Sequence, residues 1–232
     1  MTNYPNLEKI YLFDFTPGHA GDFFITLASK CSTEFVNGWT DMGQVTERMQ
    51  EFERTKLFPG NNIGGKLIDF DTHNEYRDVI QADLDRIGPS DRRFMSFCTH
   101  PTGNNHSVRI SDVLTEMFPN VPLQRVALSI STDISMAWTV YNYYNDFSQH
   151  VKSTITRTQD ERSRFIYWED PMNTLVIDHI DLLINDPVKL KHQVLEIAEY
   201  VDWDFFNYAW NAYHKVKVNS FVKWWEKYGK NK

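Results

Sequence analysis

An α/β fold, a three-layer sandwich around a central and mainly parallel sheet, is what this chain predicts, and three observations lead to it. Short runs rich in β-branched, aromatic and aliphatic residues recur along the sequence: KIYLFDF from Lys9, RFMSFCT from Arg93, LQRVALSI from Leu123 and TLVID from Thr174. Between them lie stretches whose apolar residues recur at helical spacing. Strands that alternate with helices point to a parallel sheet covered on both faces. The last third of the chain is crowded with aromatic residues at helical spacing, which predicts a helical, aromatic-rich C-terminal part.

The elements follow in order. After the Lys9 strand the chain breaks at Pro17, Gly18 and Gly21 and resumes as DFFITLASKC, a strand, glycine-containing loop and helix. Glu34 to Thr40 reads as a connection. Met42, Val45, Met49 and Phe52 share one helical face, the loop PGNNIGGK follows, and KLIDFD reads as a short strand. His73 to Ile87 reads as a helix with Tyr76, Val79, Ile80, Leu84 and Ile87 inward, ended by Gly88 and Pro89. After the Arg93 strand, Ile110 to Asn120 carries an N-cap candidate in Ser111 and a stripe of Val113, Leu114, Met117 and Phe118. Ile134 to Tyr144 is helical in period. Gln149 to Asp170 is polar and charged and reads as a surface excursion. Asp186 to Tyr200 reads as a helix with Pro187 at its first position and with Val188, Leu190, Val194, Leu195, Ile197 and Ala198 available for burial.

Length and composition bound the function. A chain of 232 residues fits one large domain, 1–232, with insertions near 34–90 and 149–172. A formal charge of -7 argues against a non-specific nucleic-acid binder, which needs a broad basic face. Two cysteines, Cys31 and Cys98, are too few for a disulfide framework and suit a reducing compartment. The N-terminal residues lack the pattern of a signal peptide and no run is apolar enough to span a bilayer, so the expectation is a soluble, cytoplasmic protein without a membrane partner. No metal site is expected. Cys98, His100 and His106 match no common zinc spacing, and PGNNIGGK lacks the Ser or Thr that a Walker-type loop places after its lysine.

In open parallel sheets ligands sit beyond the carboxyl ends of the strands. Three stretches fall there: the loop after Phe15, the pair Thr99-His100, and the turn from Ser129 to Asp133. The first can turn backbone N–H groups toward an anion. A histidine at the second can take a proton from a substrate hydroxyl near neutral pH.

The order of these pieces resembles the sulfotransferase superfamily. Thr16-Pro17-Gly18-His19-Ala20-Gly21-Asp22-Phe23 is similar to the family's first loop, Y-P-K-S-G-T-T. Cys98-Thr99-His100 is similar to K-T-H, and Ser129 to Ala137 takes the place of R-N-P-x-D-x-x-x-S. Leu175 to Val201 resembles the family's strand, acidic turn, D-P and long helix. The resemblance implies a P-loop-type fold and 3′-phosphoadenosine 5′-phosphosulfate as cofactor. It implies His100 as the catalytic base, with Gly18, His19, Ala20, Gly21, Asp22 and Phe23 around the 5′-phosphosulfate. Ser129, Ser131, Thr132 and Ser135 would lie toward the 3′-phosphate, with Lys215 and Lys217 as C-terminal cations. The acceptor would be a hydroxyl or amine of a small molecule or glycan.

The chain also departs from the pattern. The loop lysine is absent, leaving His19 as the nearest cation, and the arginine and serine positions of the third motif hold Ser129 and Ala137. Asp22 places a carboxylate where an anion would approach. A second function class is therefore carried alongside the first: a non-catalytic protein that keeps the fold for assembly or partner binding, as a homo-oligomer or with another protein.

Overall fold

The computed structural model describes residues 3–15, 21–36, 72–99, 110–129, 134, 137, 138, 141, 174–182 and 187–228, with the side chains of Asp22, Ser129, Val216 and Tyr228 left aside. Among the described residues, four strands form one parallel sheet: β1 (Lys9–Asp14), β2 (Phe94–Thr99), β3 (Leu123–Ser129) and β4 (Thr174–Asp178), in the order β2-β1-β3-β4. Every pairing is parallel, so all four carboxyl ends share one edge. Asp14 lies level with Thr99 of β2 and with Ala127 of β3.

Both faces of the sheet are covered, and the alternation along β1 shows how. Successive side chains of a strand point to opposite faces. Ile10 and Leu12 enter one core with Met95 and Phe97 of β2, and Tyr11 and Phe13 enter the other with Val126, Leu128 and Ile177. The first core is roofed by α2 (His73–Ile87) and α3 (Ile110–Met117), which contribute Tyr76, Ile80, Leu84, Val113 and Leu114. The second is roofed by α1 (Gly21–Ile25), α4 (Val188–Leu195), α5 (Trp203–Tyr213) and α6 (Asn219–Tyr228). The sandwich with a helical, aromatic C-terminal part is thus the observed architecture. Phe205, Phe206, Trp210, Tyr213 and Phe221 are its buried aromatics.

Local chemistry sets the helix ends. At α2, Thr72 Oγ1 accepts from the Glu75 N–H at 3.2 Å and Glu75 Oε2 accepts from the Thr72 N–H at 2.9 Å, a reciprocal capping box. Gly88 closes the helix with φ of 79°, a conformation that side chains with a Cβ rarely adopt. Asp202 caps α5 by accepting from the Phe205 N–H at 3.0 Å.

Several elements differ from the sequence reading. Ser111 lies inside α3, which already includes Ile110, so it is no N-cap; its carbonyl instead accepts from Thr115 Oγ1 at 2.7 Å. Among the described residues, the helix after β1 has five residues of α, Gly21–Ile25, and widens at once into a π turn, Thr26–Lys30. Pro187 sits at the N-cap of α4, and that helix stops at Leu195 instead of running to Tyr200. The helix closes through tight bonds from the Glu196 N–H to the Gln193 carbonyl and from the Ile197 N–H to the Val194 carbonyl. Beyond it, Glu34 Oε2 accepts from the backbone N–H of Glu199 at 2.6 Å and of Tyr200 at 2.9 Å and holds the turn that follows. Glu34 is therefore more than part of a connection: it is buried, and Phe35 beside it bridges to Phe94 at the edge of β2. Val188 and Leu195 stay exposed on α4, while Leu190, Val194, Ile197 and Ala198 are buried. The Met42–Phe52 helix, the KLIDFD strand and the 149–170 excursion lie outside the described residues.

Candidate functional site at the carboxyl edge of the sheet

The chain reverses direction across the sheet at β1: β2 lies on one side of it, and β3 and β4 lie on the other. In doubly wound sheets that crossover leaves a crevice between the carboxyl ends of the two strands involved, here β1 and β3. Asp14, Thr99 and Ser129 end their strands on this one edge, so the three stretches singled out in the sequence leave the sheet side by side. The Phe15 N–H donates to the Thr99 carbonyl at 3.3 Å, which ties the first two exits together.

A buried pair of charges joins β1 to β3 near this edge. Asp14, the last residue of β1, is 2% exposed, and its Oδ2 accepts from Arg125 Nε of β3 at 2.9 Å and from Nη2 of the same guanidinium. Its Oδ1 is buried with no hydrogen-bond partner among the described residues. Burial pushes the Asp14 carboxyl up to about 6, against the pull of the adjacent Arg125 charge. Reading the sequence for motifs missed this pair. The available signal was an acid inside YLFDF and an arginine inside LQRVALS, each interrupting an apolar strand.

The segments that leave β1, β3 and β4 meet again on the C-terminal helices. Phe23 of α1 stacks on Tyr213 of α5 with ring centres 3.8 Å apart. Trp138, after β3, packs edge to face on Phe221 at 5.0 Å and lies 6.2 Å from Tyr213. After β4, the Leu182 carbonyl accepts from His214 Nε2 at 3.0 Å. His214 opens a π turn, His214–Val218, that carries Lys215 and Lys217. Lys215 is exposed and Lys217 half-buried, so both cations stand on a segment braced against three strand exits.

The remaining titratable groups near this edge are committed to structure. His179, which follows β4, is fully buried, and burial pushes it down to about 4, leaving a neutral ring beside Trp138. Burial likewise lowers His214, partly offset by its bond to the Leu182 carbonyl. Asp181 is buried and paired with Lys189 of α4 at 2.8 Å.

The sequence-based site residues distribute as follows. Gly21 opens α1 with no room for a Cβ, because the Phe15 ring fills that space. Asp22 follows in the first turn, and Phe23 turns its ring into the core. Ser129 ends β3. Gly18, His19, Ala20, His100, Ser131, Thr132 and Ser135 lie outside the described residues. Cys31 and Cys98 are buried free thiols. Among the described residues, no cluster of His, Cys, Asp and Glu could hold a metal ion, and no helix is long and apolar enough to cross a membrane.

No known family model matches this chain, and no curated protein sequence matches it either.

Proposed function

We propose that the chain is a divergent sulfotransferase-like enzyme that binds 3′-phosphoadenosine 5′-phosphosulfate at the carboxyl edge of β1 and β3. The observation that carries this reading is the reversal of strand order at β1, which sets the exits of β1, β2 and β3 beside one crevice. In this reading the backbone from Gly18 to Phe23 faces the 5′-phosphosulfate, and Ser129, Ser131, Thr132 and Ser135 face the 3′-phosphate. Lys215 and Lys217 supply the positive charge that the loop lacks. The bound cofactor supplies an activated sulfuryl group. His100, one residue beyond the Thr99 that is level with Asp14, takes the proton of the acceptor hydroxyl or amine. Such transfer relies on positioning and charge stabilisation more than on covalent chemistry by the protein.

A ligand present at about 100 times its dissociation constant adds about 2.7 kcal/mol. Adenosine 3′,5′-bisphosphate is therefore expected to raise the melting temperature by several degrees, at roughly 2 to 4 °C per kcal/mol. His100→Ala is expected to abolish turnover and to keep that rise. A melting curve that does not move at millimolar bisphosphate overturns the reading.

One observation favours the non-catalytic alternative. Arg125, the charged group set between β1 and β3, is already paired with Asp14. A retained fold acting in assembly would show this internal neutralisation together with an unmoved melting curve.

A further inference from the structure

Residues 214–232 hold six lysines and a single acid, Glu226, in a chain whose formal charge is -7. The described part of that segment is the π turn His214–Val218 and α6 (Asn219–Tyr228), which continue α5 without a break. Along this continuous helix Asn211, Lys215, Asn219, Lys223 and Lys227 recur at every fourth residue, and all five are exposed. A four-residue spacing drifts around an α-helix, which has 3.6 residues per turn. A π turn takes more residues per turn and offsets that drift, so Lys215 stays in line with Lys223. The result is a straight basic ridge, roughly 18 Å from Lys215 to Lys227 at 1.5 Å per residue.

We propose that this ridge is a membrane-contact surface: Lys215, Lys223 and Lys227 bind the headgroups of anionic phospholipids, and α6 lies along the face of the bilayer. The proposal goes beyond the cofactor reading, which uses neither Lys223 nor Lys227. The apolar side of the helix is already committed, because Val218 and Phe221 are buried in the core and Trp224 and Trp225 pack against it. The contact is therefore made by lysines at headgroup level, with Val222 exposed beside Lys223. The expectation of no membrane partner rests on the lack of a spanning run, and a helix lying on the surface needs none.

Shape and charge favour a lipid surface over other anions. Asn219, Ser220, Val222, Lys223, Glu226 and Lys227 of α6 are all exposed, so this helix projects from the core and meets a flat surface along its length. Every cation in 214–232 is a lysine. A lysine is a point charge on a flexible stem, suited to a fluid array of headgroups, whereas fixed phosphates of a nucleic acid favour the bidentate fork of arginine. The exposed acids Glu75, Asp78 and Asp85 stand on α2, which packs on the opposite face of the sheet. At 0.1 M salt the Debye length is about 10 Å, so charges across the sheet do not cancel the ridge.

Sedimentation of the full chain with vesicles tests the proposal. One set is phosphatidylcholine and the other holds about 30% phosphatidylserine, each at about 0.1 M and about 0.5 M salt. Wild type is expected to partition at least about tenfold more strongly onto the anionic vesicles at the lower salt and to lose that preference at the higher. Lys223→Gln with Lys227→Gln, both at exposed positions, is expected to weaken binding at least about tenfold with an unmoved melting temperature. Glu226→Gln, which removes the acid among these lysines, is expected to strengthen binding about fivefold.

Equal partition onto the two kinds of vesicle overturns the proposal. So does wild-type affinity in the double-lysine variant. A single-stranded oligonucleotide is tested alongside, and binding to it without binding to anionic vesicles overturns the proposal in favour of a nucleic-acid contact.

Discussion

Asp14 and His179 are both fully buried titratable residues, yet burial moves them in opposite directions, and their effects on stability oppose each other. The carboxyl of Asp14 is raised to about 6 from an ordinary 3.8, so between those values the folded state holds a proton that the unfolded state has released. Stability contributed by Asp14 therefore falls as pH rises through that window. His179 is lowered to about 4 from 6.5, so there the unfolded state holds the extra proton and stability rises with pH. Each shift is worth about 3 kcal/mol at 1.36 kcal/mol per unit, and the two nearly cancel in wild type. Asp14→Asn removes one side of the balance. Relative to wild type, its stability is expected to climb by about 3 kcal/mol between about pH 4 and 6, read from urea midpoints across that range. Parallel curves for the two proteins would contradict the assignment. Glu34 offers a second residue-scale test. Its buried carboxylate binds Arg93 at 2.8 Å as well as two backbone N–H groups of the 199–200 turn. Glu34→Ala leaves those two backbone donors without their acceptor, while Arg93 keeps Glu8 at 2.9 Å, and is expected to cost about 1–3 kcal/mol in denaturant unfolding.

Among the elements, the unit that opens the fold has the most to say about sequence and function. The sequence marks Gly21 as part of an anion-binding loop, and the structure gives it a second, sufficient reason: a Cβ there would collide with the Phe15 ring. Gly21→Ala is expected to destabilise by about 1–3 kcal/mol through overpacking. Phe15→Leu, which shortens the side chain in that space, should recover part of the loss, and a double-mutant cycle measures the coupling. Additive effects would mean that the two residues do not meet. The helix after this glycine is also shorter than its sequence suggests. Asp22 to Cys31 has apolar residues at helical spacing throughout, but after five α residues the backbone widens into a π turn whose residues are all buried. Spacing alone cannot separate these two states, because both keep the same apolar residues inward. In contrast, α2 was legible to the residue, since Thr72, Glu75 and Gly88 fix its ends through local hydrogen bonds and backbone geometry.

For the molecule as a whole, the C-terminal helices complete the fold. They place Phe205, Phe206, Ala209, Trp210, Tyr213, Val218 and Phe221 in the same core as Phe13 and Phe24. A buried phenylalanine contributes roughly 2 kcal/mol, so losing this layer removes more than the whole margin of a typical domain. A chain ended after Val201 is expected to lose its cooperative unfolding transition and to bind a hydrophobic dye. A cooperative melt of the truncated chain would show that the layer is an accessory. These rings are occupied with one another and with the segments that leave the sheet, as core aromatics are.

What the sequence determined by itself is what short-range physics controls. The four strands follow from runs of β-branched and aromatic residues, the capped helix α2 from its end residues, and the two-faced sheet from the alternation of strands with helices. The tertiary structure alone decided the strand order and what meets across it. Asp14 and Arg125 are separated by more than a hundred residues and become a buried ion pair because β3 lies beside β1. Glu34 holds a turn far along the chain because residues 31–34 lie against 200–202. Such contacts depend on which segments the hydrophobic core brings together. Local periodicity does not encode them, and the charged pair at the candidate site is one of them.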